Sequence, residues 1–171
     1  GSRRIYDEDI KWSPDGGKIA YLYGALDASR NYVVKVKLFD ISGNGEDIFV
    51  LDHPYYSLSI EWLNNLRLLM SEEIGELWLI DASGAGNHVR VSDNIEGKIS
   101  IAPDKQSLIF HTSVENTRSI NVSDLDGNVQ VLHEFTITGE CCYYYSGGIV
   151  WSSDSRKIAF QETVDDIPES N

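Results

Sequence analysis

An all-β fold built of repeated four-stranded antiparallel units is predicted by two phrases that return along the 171-residue chain. The first sets two apolar residues one apart before a polar turn: Ile10-Lys11-Trp12-Ser13-Pro14-Asp15-Gly16, Ile60-Glu61-Trp62, Ile99-Ser100-Ile101-Ala102-Pro103-Asp104 and Ile149-Val150-Trp151-Ser152-Ser153-Asp154. Their third residues stand about 50, 39 and 50 positions apart, the period at which one propeller blade is built per repeat. The second phrase is a D-x-[SD]-G frame at Asp40-Ile41-Ser42-Gly43, Asp81-Ala82-Ser83-Gly84 and Asp124-Leu125-Asp126-Gly127. Asp at the first position caps nearby backbone N–H groups and Gly at the fourth accepts a positive φ, so each reads as a tight hairpin turn. Two markers keeping nearly one period predict β-propeller blades, about three and a half of them, in a single partial propeller domain.

The strands of a blade follow in order. The apolar-x-apolar phrase is a first strand with one face in a core, because side chains alternate faces with period two. Lys18-Ile19-Ala20-Tyr21-Leu22-Tyr23, Leu66-Arg67-Leu68-Leu69-Met70, Ser107-Leu108-Ile109-Phe110 and Lys157-Ile158-Ala159-Phe160 are nearly continuous apolar runs, the mark of a second strand packed on both faces. Third strands are read at residues 34–39, 76–80 and 119–122. The D-x-[SD]-G turn then leads into fourth strands at 47–51, 88–91 and 129–132. The blades so drawn cover about 4–52, 53–93 and 94–135, with an incomplete one at 143–161 and an acidic tail at 162–171.

A fourth blade of two strands leaves an open arc, whose terminal faces call for a neighbour. The expectation is a cut from a longer ring or closure by a second chain, with a homodimer covering the open blade faces. Gly1-Ser2 is set aside as a pair left by tag cleavage. As inter-blade fillers, Trp12 and Trp151 are each expected to lose ~3–5 kcal/mol on change to Ala, and Tyr144 far less.

The net charge of −13 is spread along the chain and no basic stripe interrupts it, which argues against nucleic acid as a partner. No apolar run reaches the ~20 residues of a membrane-spanning helix, so no membrane insertion is expected. Cys141 and Cys142 are adjacent, which excludes an ordinary disulfide between them. A reduced pair and a vicinal bridge both stay open, and no zinc-type Cys/His spacing accompanies them.

In a blade the connections at one end vary: 24–31, 71–75 and 111–117 between second and third strands, and 52–57, 92–96 and 136–147 between repeats. Variable loops on a rigid scaffold are where binding resides. Two aromatic clusters fall on that end, His53-Pro54-Tyr55-Tyr56 and Cys141-Cys142-Tyr143-Tyr144-Tyr145. Tyrosine pairs a large apolar body with a polar tip at low entropic cost, so Tyr55, Tyr56, Tyr143, Tyr144 and Tyr145 are the candidate partner-binding residues. The competing reading is that these rings seal the core between blades.

No G-x-S-x-G elbow, H-E-x-x-H helix, phosphate loop or dinucleotide fingerprint is found, so no catalytic residue and no cofactor is assigned. Asp124-Leu125-Asp126-Gly127-Asn128 has the start of a calcium loop. An EF-hand would need Gly at the place of Val129 and an acid at that of Phe135, so turn chemistry is preferred and no metal ligand is named. His53, His88, His111 and His133 fall in different blade elements and are read as strand or surface residues. Asn121-Val122-Ser123 is a glycosylation sequon inside a predicted strand and is given little weight.

Trp12-Ser13-Pro14-Asp15-Gly16-Gly17-Lys18-Ile19-Ala20-Tyr21, with a later strand ending in Asp40-x-x-Gly43, resembles the repeat of the TolB-type β-propellers, relatives of the WD-repeat blade. The frame is kept from Ile101 to Phe110 and from Trp151 to Phe160, whereas Trp62-Leu63-Asn64-Asn65 has lost the Pro-Asp-Gly. The resemblance implies a bacterial, periplasmic or secreted protein whose propeller binds other proteins or ligands on one face, although TolB-type rings close with more blades. The function expected is therefore a non-catalytic interaction scaffold, with protein the foremost partner. Similar blades in prolyl oligopeptidase-like serine peptidases and in some polysaccharide lyases keep two alternatives open: a regulatory propeller fragment of such a peptidase, or a carbohydrate-active propeller.

Overall fold

The computed structural model describes residues 10–52, 58–136 and 148–160, and every regular element within them is a β-strand. The first sheet holds β1 (Ile10–Trp12), β2 (Lys18–Leu26), β3 (Tyr32–Asp40) and β4 (Gly45–Leu51), antiparallel and in chain order. Alternation gives it two unlike faces. Ala20, Leu22, Val34, Val36, Leu38, Phe49 and Leu51 form a buried side that packs on Ile60, Trp62, Leu68, Met70, Ile80 and Ala82 of the next blade.

The second sheet runs β11-β10-β9-β8-β7-β6-β5, through β5 (Leu58–Asn64), β6 (Arg67–Glu72), β7 (Ile74–Asp81), β8 (Val89–Ile101), β9 (Ser107–Val114), β10 (Thr117–Asp124) and β11 (Val129–Thr136). It is two blades joined by one shared strand. Early β8 pairs with β7, its end pairs with β9, and Ile95 and Glu96 pair with both neighbours. The sequence reading placed a loop at 92–96 between two separate strands. Ser92 pairs with Leu77 on one side and Ile95 and Glu96 pair on both, which carries the strand through the weak β-propensity of Ser92-Asp93-Asn94. The change of direction is made just beyond it. Gly97 has φ 79 and lies where the β8–β9 register shifts, so a bulge turns the strand from one blade into the next.

The second core lies between these two blades: Leu63, Leu69, Leu77 and Leu79 against Ile95, Leu108 and Phe110. Leu68, Leu69 and Met70 are all buried, as are Leu108, Ile109 and Phe110, which explains the unbroken apolar runs of the second strands. Burial of one such side chain is worth about 1.5–3 kcal/mol. The third sheet is the pair β12 (Ile149–Trp151) and β13 (Ile158–Phe160), whose Phe160 ring lies 5.5 Å from that of His133 on β11.

Two further expectations are corrected. The connections read as long loops at 24–31, 71–75 and 111–117 are hairpin turns of 27–31, Glu73 alone and 115–116, because the strands continue through their ends. Trp12 is not an inter-blade filler: it is 60% exposed on the face of the first blade that no other described blade covers.

Candidate functional site

The register sorts the two ends of the blades into different chemistries. At the lower end lie the turns from first to second strand and from third to fourth. Ser13 Oγ donates to Asp15 Oδ1 at 2.7 Å and accepts from Lys18 N at 2.9 Å, and Ser152 does the same with Asp154 and Lys157 at 2.6 and 2.9 Å. The D-x-[SD]-G turns close around their aspartates. Asp40 accepts from Ser42 N and from both nitrogens of Asn44, and Asp124 from Asp126 N and both nitrogens of Asn128. In the second blade two residues, Ala85 and Gly86, are inserted and Asn87 N takes the same role toward Asp81 at 3.1 Å. Gly43, Gly84 and Gly127 have φ of 83, 89 and 84, which a side chain would strain. Asp124 thus caps its own turn, as the turn reading expects.

The same end stitches neighbouring blades together. Asn65 Oδ1 accepts from Asp15 N at 3.1 Å, Lys105 Nζ donates to the Trp62 carbonyl at 3.1 Å, and Ser155 Oγ accepts from Asp104 N at 3.0 Å. Each of these side chains sits at the tip of a first turn and reaches the preceding blade. Trp62 and Trp151 add indole bonds to the carbonyls of Lys11 and Ser100, both 3.0 Å. The lower end is structural.

The upper end carries the turns from second to third strand and, by register, Leu51 opposite Val34, Leu58 opposite Glu72 and Thr136 opposite Thr117. Those three residues flank the segments holding Tyr55, Tyr56, Tyr143, Tyr144 and Tyr145, which themselves lie outside the described residues, as do His53, Cys141 and Cys142. What the structure does place at this end is a set of ionisable groups that the sequence reading left unconnected. Glu96 stands opposite His111 across β8 and β9, and Arg118 on β10 lies on the same face. Arg118 Nη2 donates to Glu96 Oε1 at 3.0 Å with both side chains mostly buried. Burial lowers the His111 pKa, and between the upward pull of Glu96 and the downward push of Arg118 it stays below its ordinary value. His111 is therefore neutral near pH 7. Its Nε2 and the Nε of Arg118 are buried and without a hydrogen-bond partner among the described residues. Spacings of 15 and 7 residues from Glu96 to His111 to Arg118 follow no motif; only strand register makes these three neighbours.

A second polar group packs toward the first blade. Glu76 accepts from Trp78 Nε1 at 2.8 Å and from Arg90 Nη1 at 3.0 Å, and its backbone N–H donates to Glu72 Oε2 at 3.1 Å. His88 Nδ1 accepts from Asp81 N at 3.1 Å, and its ring meets Phe49 edge-on. On the outer face of the first blade Asp47 accepts from Tyr23 Oη at 2.7 Å and from Lys35 Nζ at 2.9 Å. Burial, then the bond to Asp47, pushes the Tyr23 pKa up to about 12. That face therefore mixes a polar network with exposed Ile10, Trp12 and Val50. Among the described residues no group of three or more His, Cys, Asp or Glu is arranged to hold a metal ion.

No family model matches this chain, and no curated protein sequence does. Solved structures do share its fold. An oligogalacturonate lyase in complex with manganese aligns with TM-score 0.55 at 14% identity, over 85% of this chain and 44% of that one. An AtxE2 isopeptidase aligns with TM-score 0.55 at 13% identity, over 78% of this chain and 30% of the other. TolB from Acinetobacter baumannii aligns at 0.43 and 16% identity, over 88% and 48%. The chain is a partial β-propeller. It spans less than half the length of each of these structures, and for the lyase and the isopeptidase, at such identities, the likeness is one of fold.

Proposed function

We propose that this propeller is a non-catalytic interaction module that binds a protein partner at the upper end of its blades. The observation that carries the reading is a pair of buried atoms there without a hydrogen-bond partner among the described residues, His111 Nε2 and Arg118 Nε, at the end opposite the closed structural turns. A neutral imidazole and a guanidinium N–H suit a carbonyl or carboxylate of an incoming peptide, because a buried polar atom left unmade costs about 1–3 kcal/mol. Tyr55, Tyr56 and Tyr143 to Tyr145 supply the aromatic contact area, and the described turns at that end are short, with few backbone bonds to order on docking. The SPDG phrase supports blades of the TolB type, and a periplasmic or secreted setting in a bacterium rests on that same phrase. No described helix is long and apolar enough to cross a membrane.

The test is selection from a displayed peptide library against the full chain. The reading expects peptides whose affinity falls about tenfold or more, equivalent to about 1.4 kcal/mol, on Tyr144→Ala or Arg118→Gln. Peptides indifferent to both changes, or none selected, would contradict it.

A further inference from the structure

The turn between β3 and β4 needs two residues that are chemically fragile side by side. Asn44 gives both of its nitrogens to Asp40, N to Oδ1 and Nδ2 to Oδ2, each at 2.9 Å, while Asp40 N donates to the Asn44 carbonyl at 3.0 Å. Gly45 is set by packing: a β-carbon there would lie 2.5 Å from the Phe39 ring and 3.0 Å from Lys37 Cε. The fold thus brings about Asn44-Gly45, the one Asn-Gly pair in the chain, and both residues are exposed. Asparagine is labile before glycine because the backbone nitrogen that follows can reach the side-chain carbonyl carbon. Glycine carries no side chain to block that approach or to restrict the backbone.

The third blade supplies a matched comparison. Asn128 closes the same turn, with N and Nδ2 donating to Asp124 at 2.9 and 2.7 Å, and it too is exposed. The residue after it is Val129, whose branched β-carbon crowds the backbone nitrogen. One hairpin carries the fragile pair and its twin does not.

We propose that Asn44 is a site of spontaneous deamidation in the folded protein, guarded by Asp40, and that the reaction opens the turn that Asn44 closes. The Gly45 backbone nitrogen, losing its proton to solvent base, attacks Asn44 Cγ. The new N–C bond closes a cyclic imide while the Cγ–Nδ2 bond breaks and ammonia leaves. Water then opens the imide at either carbonyl, giving aspartate or isoaspartate. Both products harm the turn. Aspartate sets a second carboxylate against Asp40 where Nδ2 had donated, and isoaspartate adds a methylene to the backbone beside the carbonyl that accepts from Asp40 N. Attack requires Cγ to swing toward the Gly45 nitrogen, whereas the bond from Nδ2 to Asp40 holds the side chain in place. The reaction therefore runs from a locally opened turn, and its rate follows how often that turn opens.

The full chain is incubated in mildly alkaline buffer, folded or in concentrated urea, and mass spectrometry of its proteolytic peptides follows the change from amide to acid at each asparagine. In the folded chain Asn44 should convert while Asn128 keeps its amide, and Asn44 should react about tenfold or more slowly than in urea. Asp40→Ala should speed the folded reaction by about tenfold and leave the rate in urea unchanged. Asp124→Ala, which disturbs the twin turn instead, should leave the Asn44 rate as it is. Gly45→Ala should slow the reaction in urea, where its clash with Phe39 has no bearing. Protein aged until Asn44 has converted should unfold at lower urea than fresh protein. An Asn44 that keeps its amide in the folded chain overturns the proposal, as does equal conversion of Asn128. Equal acceleration by Asp40→Ala and Asp124→Ala belongs to general unfolding and removes the guard, and an unchanged urea midpoint in aged protein removes the opened turn.

Discussion

Trp62 donates its indole N–H to the carbonyl oxygen of Lys11 at 3.0 Å, across the boundary between the first two blades and 51 residues back in the chain. Trp151 and Ser100 reproduce the bond at the same distance and the same separation. A hydrogen bond with that spacing ties repeat to repeat, and it anchors an aromatic ring in the core that both blades share.

The first prediction separates the tryptophans. Trp62 is 4% exposed, and Trp62→Ala should cost about 3–5 kcal/mol through lost packing and the cavity left behind. Trp62→Phe keeps most of the packing but drops the N–H, and should cost about 0.5–1.5 kcal/mol from the bond. Trp12→Ala, on an exposed face, should stay within about 0.5 kcal/mol of the native chain. Urea unfolding of the three variants checks the order.

A second prediction concerns turn tips. Lys105 and Ser155 have φ of 56 and 58 at the position where the first blade has Gly16 at 70. A left-handed conformation costs a side-chain residue about 1–2 kcal/mol, here offset by the bonds these two make to the preceding blade. Lys105→Ala keeps the strain and loses the bond to the Trp62 carbonyl, whereas Lys105→Gly loses the bond and relieves the strain. The glycine variant should therefore be the more stable of the two by about 1 kcal/mol, the reverse of the usual ranking. Thermal unfolding of the pair decides it.

Much of this arrangement was legible in the sequence, for reasons that particular residues show. Strands could be placed because Ile10-Lys11-Trp12 and its echoes alternate, and because Leu68-Leu69-Met70 is apolar on both faces in a doubly packed strand. The turns could be placed from Asp40 and Gly43, but the D-x-[SD]-G frame stops short of the Asn44 and Asn128 that complete them, although both stand directly after the glycine. The joining strand β8 was hidden by Ser92-Asp93-Asn94, because the pairing that carries it, of Ser92, Ile95 and Glu96, is with strands whose register the local sequence does not show. The exposure of Trp12 was equally hidden, since its local phrase is the same as that of Trp151 and only the position in the arc differs. Glu96, His111 and Arg118 could not be grouped from spacing, because the register of three strands brings them together.

His111 offers a third prediction, with signs fixed by its neighbours. Removing the cation in Arg118→Gln should raise the His111 pKa, and removing the anion in Glu96→Gln should lower it further. In the native protein a folded-state pKa below the unfolded value means that the neutral ring is favoured by folding. The stabilising contribution is present above the unfolded value near 6.5 and is lost as pH falls through the lower folded value. Titration of imidazole resonances in the three proteins measures all of this; shifts of the same sign in both variants would contradict it.

Acid stability is the fourth. Asp40 and Asp124 are held below the usual carboxylate range, first by the Asn44 and Asn128 side chains and then by backbone N–H groups of their turns. Lowered folded pKa values make their contribution complete above about pH 4 and progressively absent as pH falls through the folded values. Asp124→Asn should flatten the fall of the urea midpoint below about pH 4, and a curve parallel to that of the native chain would contradict the assignment.

Solvent exchange of the tryptophan indole protons, followed by nitrogen-15 NMR on a dilute sample and assigned with single Trp→Phe variants, tests the blade-to-blade architecture most directly. The Trp62 indole N–H, bonded to Lys11 and buried in the shared core, should exchange about a hundredfold or more slowly than that of Trp12, which stands open to solvent. Equal and rapid exchange at both rings would contradict the stacking of the second blade on the first.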